Sequence, residues 1–277
     1  MDRKEVDRLV VEFDKLSQVK LKREILVKPS FIGVGAGRCG TSAIYSALIN
    51  HPGCHLSPIK EVNYFGIRDK ETTPTGLTYS EYLSYFLGAD HDQVVGEISP
   101  AYLTFPESLV NLHKYLPDVK LILTLRNPLE RFISQFKHHK NAHGLTSLEA
   151  YSTQAIEQFN AGFPNGKNWF SPAKNIYQSL YSEGTKYLLE NYGRDKIHVI
   201  CFHNLVANFS NEMRLLQEFL GLKQHLLPEN RTNQSSEEAV DLDLSWETVK
   251  SLEAIFYKDI ENLSELLGDE FMALTER

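Results

Sequence analysis

The sequence predicts an α/β protein in three layers, α/β/α, with a central and mostly parallel sheet. Short, nearly continuous apolar runs, typical of strands buried in a parallel sheet, lie at 30–34, 94–98, 120–125 and 197–202. Helical segments separate these runs, and strands that alternate with helices form such layers. With 277 residues, 42% hydrophobic content and no linker or repeat, we expect a single domain over 1–277.

Local patterns define the elements around the first strand. An amphipathic helix is expected over 1–22, where apolar residues recur at helical spacing, and we expect it to pack against the domain. These residues are Val6, Leu9, Val10, Phe13 and Leu16. After strand 30–34, a glycine-rich turn opens a helix from Thr41 to about Asn50, which the turn at Pro52 ends.

The second half of the chain continues the alternation of strands and helices. Pro128 stands where the first turn of a helix tolerates proline, and this helix is expected to reach about Lys140. Two more helices, over 176–192 and 205–220, flank the strand at 197–202. The glycine directly after the second of them is a typical helix end.

Composition limits the cellular setting and the partners. The chain has three cysteines, which give no disulfide framework and suit a reducing compartment. The N-terminus does not read as a signal peptide, and no apolar run approaches the roughly 20 residues that span a bilayer. We therefore expect a cytoplasmic protein without a membrane span. The net charge is −7 and acidic residues outnumber basic ones over 231–277, which argues against nucleic acid as a partner.

Residues 31–42 form the most informative stretch, an apolar strand that runs into a glycine-rich turn and a helix start. Glycines let the backbone approach a ligand closely, and the N–H groups at a helix start attract an anion. Gly35 and Gly40 have the spacing of a Walker A loop, but Thr41 stands where an NTPase needs lysine. The cation of this loop is Arg38, whose guanidinium suits a bidentate contact with an oxyanion.

This loop resembles the one in sulfotransferases that use 3′-phosphoadenosine 5′-phosphosulfate (PAPS). In that family the loop holds the 5′-phosphosulfate, and many members have lysine at the position of Arg38. The resemblance implies that the donor is bound by six residues: Gly37, Arg38, Cys39, Gly40, Thr41 and Ser42. We interpret Cys39 as a small residue that fits the loop rather than as a redox group.

A second family element follows further along the chain. In the family, a strand leads to an arginine and then to a serine eight residues on, and both bind the 3′-phosphate of the donor. The strand at 120–125, Arg126 and Ser134 match this pattern. Two motifs in the right order are more specific than either alone. The alternatives are a helix-capping ion pair of Arg126 with Glu130 and a helix-face hydroxyl for Ser134.

The segment 59–65 resembles one in heparan sulfate-type O- and N-sulfotransferases, where a glutamate is the general base. Glu61 is the matching position. A hydroxyl nucleophile must lose its proton at neutral pH, and a positioned carboxylate can accept it. The alternative for Glu61 is a solvated surface pair with Lys60. Many simpler members use histidine instead, and three histidines compete for the role: His51, His138 and His139.

Two other stretches complete the comparison with the family, and a third is interpreted from its composition alone. Over 96–102 the family pattern Glu-Lys-Ser/Thr-Pro-Ala-Tyr is matched except that Ile98 replaces the lysine, which puts a second cation at the sulfonate in doubt. Arg231 matches a late loop that closes over the 3′-phosphate and the adenine. The segment 142–171 has mixed polarity and several glycines, and we expect a mobile excursion that covers the acceptor site.

Taken together, the resemblance implies a PAPS-dependent sulfotransferase that moves a sulfonate in line to an acceptor hydroxyl or amine and releases 3′-phosphoadenosine 5′-phosphate (PAP). Arg38 and Glu61 are the expected catalytic residues. No metal is expected, because arginine and backbone N–H groups can do the electrostatic work of Mg²⁺ in kinases. The acceptor stays open between a sugar, a lipid, a small metabolite and a carrier-bound acyl chain. The alternatives are a P-loop kinase or NTPase with a degenerate Walker loop and a non-catalytic nucleotide-binding protein.

Overall fold

The structure, a computed structural model, describes residues 26–66, 77–143, 147–162, 171–229 and 243–268. The predicted helix over 1–22 and Arg231 lie outside these residues. In chain order the described elements are β1 (Phe31–Gly35), α1 (Thr41–Leu48), β2 (Cys54–Leu56), α2 (Tyr79–Ser84), β3 (Val94–Ile98), a 3₁₀ helix (Pro100–Thr104), α3 (Pro106–Tyr115), β4 (Lys120–Leu125), α4 (Pro128–His143), α5 (Leu148–Asn160), α6 (Pro172–Tyr177), α7 (Ser182–Tyr192), a second 3₁₀ helix (Arg194–Lys196), β5 (Ile197–Cys201), α8 (Phe202–Ala207), α9 (Phe209–Leu220) and α10 (Trp246–Leu267).

The five strands form one parallel sheet in the order β2-β3-β1-β4-β5, which confirms the predicted α/β fold. β1 is central, and its Phe31 lies opposite Gly96 of β3 and Lys120 of β4. The bounds predicted for β3 and β4 are confirmed. Because the strands are parallel, the carboxyl ends of β1, β3 and β4 meet at one edge, where open α/β sheets bind their ligands.

The two faces of the sheet bury their side chains in different apolar clusters, since successive residues of a strand point to opposite faces. Ile32 of β1 enters one cluster and Phe31 enters the other. In β3, Ile98 lies in the second cluster, whereas Glu97 is fully buried on the opposite face. A carboxylate in the middle of a core strand is unusual and requires hydrogen-bond donors around it.

The segment 142–171, predicted as an excursion, contains the 13-residue helix α5. The side chain of Ser147 caps this helix by accepting from the N–H of Ala150 at 3.2 Å. Leu148, Tyr151 and Ala155 are buried against α4 and α10 in a third apolar cluster. The neighbouring glycines, which suggested irregular structure, lie outside the helix, so its apolar face was overlooked.

The predicted helix over 176–192 is wrong as a single element, because α6 and α7 are separate. Asp259 of α10 breaks the run: its carboxylate accepts from the N–H groups of Tyr181 and Ser182 at 2.8 and 2.9 Å. This contact starts α7 with a cap from a distant helix, a tertiary effect that no local pattern carries. The helix predicted over 205–220 is likewise divided, at Asn208, whose side chain accepts from Asn211 N–H and starts α9.

Besides α5, four of the described strands and α-helices lack a counterpart in the sequence analysis: the short edge strand β2, the helices α2 and α3, and the C-terminal helix α10. β2 has three residues, too few for a recognisable pattern, and its middle residue His55 is partly exposed. Within the described parts of the chain, no helix is both long enough and apolar enough to cross a membrane.

Candidate active site

The loop between β1 and α1 lies at the carboxyl edge of the sheet, where the sequence predicts a phosphate cradle. Gly40 ends it in a left-handed conformation (φ 88°), and a Cβ there would meet Leu205 Cδ2 at 2.5 Å. Gly40 therefore fits only as glycine. It is also the N-cap of α1, where no side chain caps the helix and no acidic residue lies in the first turn. The N–H groups of that turn are thus not occupied by a side-chain cap, an arrangement that suits an anion.

The structure brings the two predicted donor motifs together. Arg38 Nε donates to Ser134 Oγ at 3.3 Å, although 96 positions separate the two residues. Arg38 has a left-handed backbone (φ 67°), which costs a non-glycine residue about 1–3 kcal/mol and concentrates at functional sites. The hydroxyl of Ser134 therefore faces the loop from α4.

Arg126 follows β4 and lies against Phe202, with its guanidinium carbon 4.3 Å from the ring centroid. Phe202 also lies close to Gly40, so Arg126 is held beside the loop. Its Nε pairs with Glu130 Oε2 at 3.1 Å, as the alternative interpretation anticipated. Glu130 is about half exposed, and exposed pairs of this kind contribute only about 0–1 kcal/mol. The pair therefore competes weakly with a bound phosphate.

Arg131 is a third guanidinium at the site and was not singled out by the sequence analysis. It is 1% exposed, and its Nε donates to the carbonyl oxygen of Gly37 at 3.1 Å. Burial lowers the pKa of Arg38, and the positive charges of Arg131 and Arg126 lower it further. The three cations are therefore close enough to repel one another, and an anion bound between them would relieve that repulsion.

Cys39 of the loop points into the core and is fully buried. Its Sγ lies 3.5 Å from Gly37 O and 4.0 Å from Tyr181 Oη. Burial raises the pKa of its thiol to about 11, which keeps the sulfur protonated and unreactive. The side chain packs beneath the loop, and only the backbone of Cys39 is placed to contact a ligand.

Glu61 lies in a turn beside the end of β3, with a left-handed backbone (φ 65°). Its N–H donates to Ile98 O at 3.1 Å, and its side chain, 48% exposed, forms an ion pair with Lys60. The surface pair weighed as an alternative is therefore present. It does not exclude a role as base, because the exposed carboxylate remains accessible to a substrate.

The turn that carries Glu61 is held from below by Glu97, whose importance the sequence analysis missed. Glu97 accepts from Ser99 Oγ at 2.6 Å, from Tyr102 Oη at 2.9 Å and from Tyr82 Oη at 3.1 Å. It also accepts from the N–H of Val62, directly after Glu61. Burial raises the pKa of Glu97, while these donors act in the opposite direction. The available signal was one acidic residue inside an otherwise apolar strand.

The three candidate histidines lie in different settings. His138, on α4, is near the site: burial lowers its pKa, Arg38 lowers it further and Glu61 opposes the shift. His139 contacts Gln135 through Nε2 at 3.1 Å. His51 is 3% exposed, its Nδ1 accepts from Gly53 N–H, and its Nε2 lies 2.9 Å from Lys223 O. His51 therefore connects the turn after α1 to the segment after α9. Because it is buried and both ring nitrogens are engaged, it is not available as a base.

Ile98, where the family pattern has lysine, is 1% exposed and packs against Gly33. It contributes no charge to the site. The described cation beside Glu61 is Lys60, whose side chain is 22% exposed.

Comparison with known proteins identifies the family of the chain. Residues 29–267 match the family described as the sulfotransferase domain. Human heparan sulfate glucosamine 3-O-sulfotransferase 5 is 24% identical over 211 residues, which cover 74% of this chain and 57% of that protein. A membrane-associated sulfotransferase, kil1, of Dictyostelium discoideum is 29% identical over 119 residues, or 43% of this chain and 24% of that protein. The chain thus spans between a quarter and somewhat over half of the length of these relatives.

Among solved structures, a sulfotransferase from Alicyclobacillus acidocaldarius is similar to this chain, with a TM-score of 0.74 and 24% identity. The match covers 90% of this chain and all of that one. At this identity the likeness shows a shared fold, and the predicted α/β architecture agrees with it.

Proposed function

The chain belongs to the sulfotransferase family, and from this membership we propose that it transfers a sulfonate group from PAPS to an acceptor hydroxyl or amine. The observation that carries the proposal is the contact between Arg38 and Ser134. It joins the loop assigned to the 5′-phosphosulfate to the motif assigned to the 3′-phosphate. A donor with an anionic group at each end fits such a joined site better than a nucleotide that lacks the 3′-phosphate.

The residues present fit this donor. Three guanidiniums surround the loop, and the described acidic residue paired with them is the weakly held Glu130. Gly40 leaves room where a Cβ would collide, and the first turn of α1 carries no acidic residue. The same features disfavour the kinase alternative, because the lysine of a Walker A loop is replaced by Thr41.

PAPS supplies the sulfonate when it is bound, and the chain supplies binding, orientation and charge stabilisation. We assign Arg38, Thr41, Ser42 and the loop N–H groups to the 5′-phosphosulfate, where they stabilise the negative charge left on the phosphate. Arg126 and Ser134 bind the 3′-phosphate. Arg231, outside the described residues, is proposed to close over the same phosphate and the adenine.

Glu61 is the proposed general base. Its carboxylate is exposed, and it influences the pKa of His138, as Arg38 also does; this supports a shared location for the three groups. Lys60 holds the carboxylate and supplies the positive charge that Ile98 does not. His138 is the alternative base, because it lies beside the same two residues.

The acceptor class is proposed from the relatives. Since the human relative is named for glucosamine of heparan sulfate, a sugar hydroxyl is the first acceptor to test, ahead of a lipid or small metabolite. Fractions of each class incubated with labelled PAPS would identify the acceptor. A cytoplasmic location and independence from metal ions remain predictions.

Calorimetry with PAP, AMP and ADP in the absence of Mg²⁺ tests the proposal. We expect PAP to bind about 10- to 150-fold more tightly than AMP, because a charged hydrogen bond contributes about 1.5–3 kcal/mol. Arg126→Ala should remove most of this preference, whereas Arg214→Ala, at an exposed pair on α9, should preserve it. Equal affinity for PAP and AMP, or binding only with Mg²⁺, would contradict the proposal and favour a kinase.

A further inference from the structure

Arg131 lies beneath the donor loop, and all three of its nitrogens are engaged. Nε donates to Gly37 O at 3.1 Å, which ties α4 to the loop. The terminal nitrogens bind the segment around α6 and α4 itself. Their acceptors are Asn175 O at 3.0 Å, Asn175 Oδ1 at 2.6 Å, Gln178 Oε1 at 3.0 Å, Ser179 Oγ at 3.2 Å and Gln135 Oε1 at 3.5 Å. Arg131 is therefore a rigid bridge rather than a mobile side chain.

The charge of Arg131 is unusual for so buried a group. A buried guanidinium normally pairs with a carboxylate, because an unpaired charge is costly to remove from water. Within the residues that the structure describes, the hydrogen-bond acceptors of Arg131 are carbonyl, amide and hydroxyl oxygens, and none is a carboxylate. Packing alone does not require a cation at this position. An anion on the loop would provide the opposite charge across the Gly37 peptide.

The contact with Gly37 also determines the direction of the next N–H group. In a planar trans peptide, the C=O and the following N–H point in opposite directions. Because Arg131 holds Gly37 O beneath the loop, the N–H of Arg38 is directed to the opposite side of the peptide. The same peptide leads into the left-handed backbone of Arg38.

We infer that Arg131 is a positioning residue of the donor site: it fixes the Gly37–Arg38 peptide so that the Arg38 N–H and side chain meet the 5′-phosphosulfate. This inference rests on the proposed function. Arg131 acts through the loop and does not touch the donor, since Gly37 lies between them. Its buried charge favours the bound anion, and its hydrogen bond maintains the loop conformation.

The test measures the loop first without any ligand. Amide hydrogen exchange over 36–42 is compared in the wild type, Arg131→Gln, Arg131→Lys and the control Leu220→Ala. Leu220 is a buried residue at the end of α9, which lies near the amino ends of the strands because Lys120 contacts the neighbouring Phe219 O. The control destabilises the core at the edge of the sheet opposite the loop.

We expect loop exchange in Arg131→Gln to rise about 10-fold or more over that in Leu220→Ala, and PAP affinity to fall about 10- to 100-fold. Arg131→Lys keeps the positive charge but loses the planar set of guanidinium donors. We therefore expect it to bind PAP more tightly than Arg131→Gln does, while its loop still exchanges faster than in the wild type. If Arg131→Gln does not fold, the inference is tested by comparing the loop exchange of Arg131→Lys with that of Leu220→Ala.

Loop exchange in the Arg131 variants that equals that of Leu220→Ala would overturn the inference, because Arg131 would then only stabilise the core. A wild type that does not bind PAP would instead contradict the proposed function. The exchange measurement would still decide the role of Arg131, so the two failures are distinguishable.

Discussion

The loop between β1 and α1 (the donor loop) and the turn that carries Glu61 (the acceptor turn) are each supported by a buried ionisable residue. The two supporting residues have opposite charge types. The loop and the turn each present a non-glycine residue in the left-handed conformation, Arg38 in the loop and Glu61 in the turn. Under the loop, the buried cation Arg131 donates to a backbone carbonyl. Under the turn, the buried acid Glu97 accepts from a backbone N–H. In both places, a hydrogen bond from a buried ionisable group to the backbone can stabilise the left-handed conformation of an adjacent residue.

The difference lies in how the two buried groups relate to the ligand. The charge of Arg131 has the sign that attracts the donor anion, so it supports binding as well as shape. Glu97 is surrounded by three hydroxyl groups and one N–H, and burial raises its pKa. Its role in the turn is therefore geometric. This comparison predicts that changes to Arg131 affect PAP affinity and changes to Glu97 affect stability. Changes to Arg38 and Glu61, the residues that these two hold, are expected to affect turnover.

The largest expected effect is at Glu61. Glu61→Gln keeps the shape of the side chain but removes its capacity to accept a full proton, so turnover should fall roughly 10²–10⁴-fold with normal PAP affinity. The pH–rate profile should also lose its acidic limb. Steady-state kinetics and calorimetry on the same preparation separate these effects. Near wild-type turnover would transfer the role to His138, and His138→Gln is the next variant to measure.

Arg38→Ala should reduce turnover by about 10²–10³-fold, the usual cost of removing one donor that stabilises developing charge. Arg38→Lys should retain part of the activity, because it keeps a cation at the same position. Arg214→Ala, at an exposed i,i+4 pair, is the matched control and should be nearly silent. An unchanged kcat in Arg38→Ala would contradict this prediction. It would show that the Arg38 side chain only shapes the loop and does not stabilise charge during transfer.

The smallest effect concerns the stability of the acceptor side and its dependence on pH. The folded-state pKa of Glu97 is raised, so the folded protein retains the proton at pH values where the unfolded chain has lost it. The stability that this proton contributes is complete below the unfolded value near pH 4 and is lost as pH rises through the folded value. Relative to Glu97→Gln, the wild type should therefore lose free energy of unfolding as pH rises from about 4. Denaturant titrations across pH check this, and parallel curves would contradict it.

Local sequence patterns were sufficient to predict those elements whose structure depends mainly on residues within the same segment. The apolar runs of β3 and β4 and the glycine-rich start of α1 were predicted because burial and turn geometry act within a few residues. The break before α7 was not, since Asp259 from a distant helix creates it.

The same distinction applies to the site. Arg38, Ser134 and Glu61 were predicted through motifs, but their mutual placement depends on how the strands are ordered. Arg131 and Glu97 were missed as supports because the groups that they hold belong to other elements of the fold. An acidic residue in an apolar strand marks Glu97 as unusual but does not identify its partners. Motifs in the sequence therefore identify candidate site residues more readily than the buried groups that support them.

The central position of β1 has a consequence for the order in which this protein acquires its structure during synthesis. Among the described strands, β1 leaves the ribosome first, yet its two partner strands, paired with it at Gly96 and Lys120, emerge only much later. Until then its apolar residues have no sheet to join, and such exposed segments are where nascent chains associate wrongly. The donor loop gains its contacts with Arg131 and Ser134 later still, because both residues follow β4 in the chain. The proposed donor site therefore cannot form before α4 has been synthesised, and we expect a nascent chain that ends before α4 to be inactive and prone to aggregate.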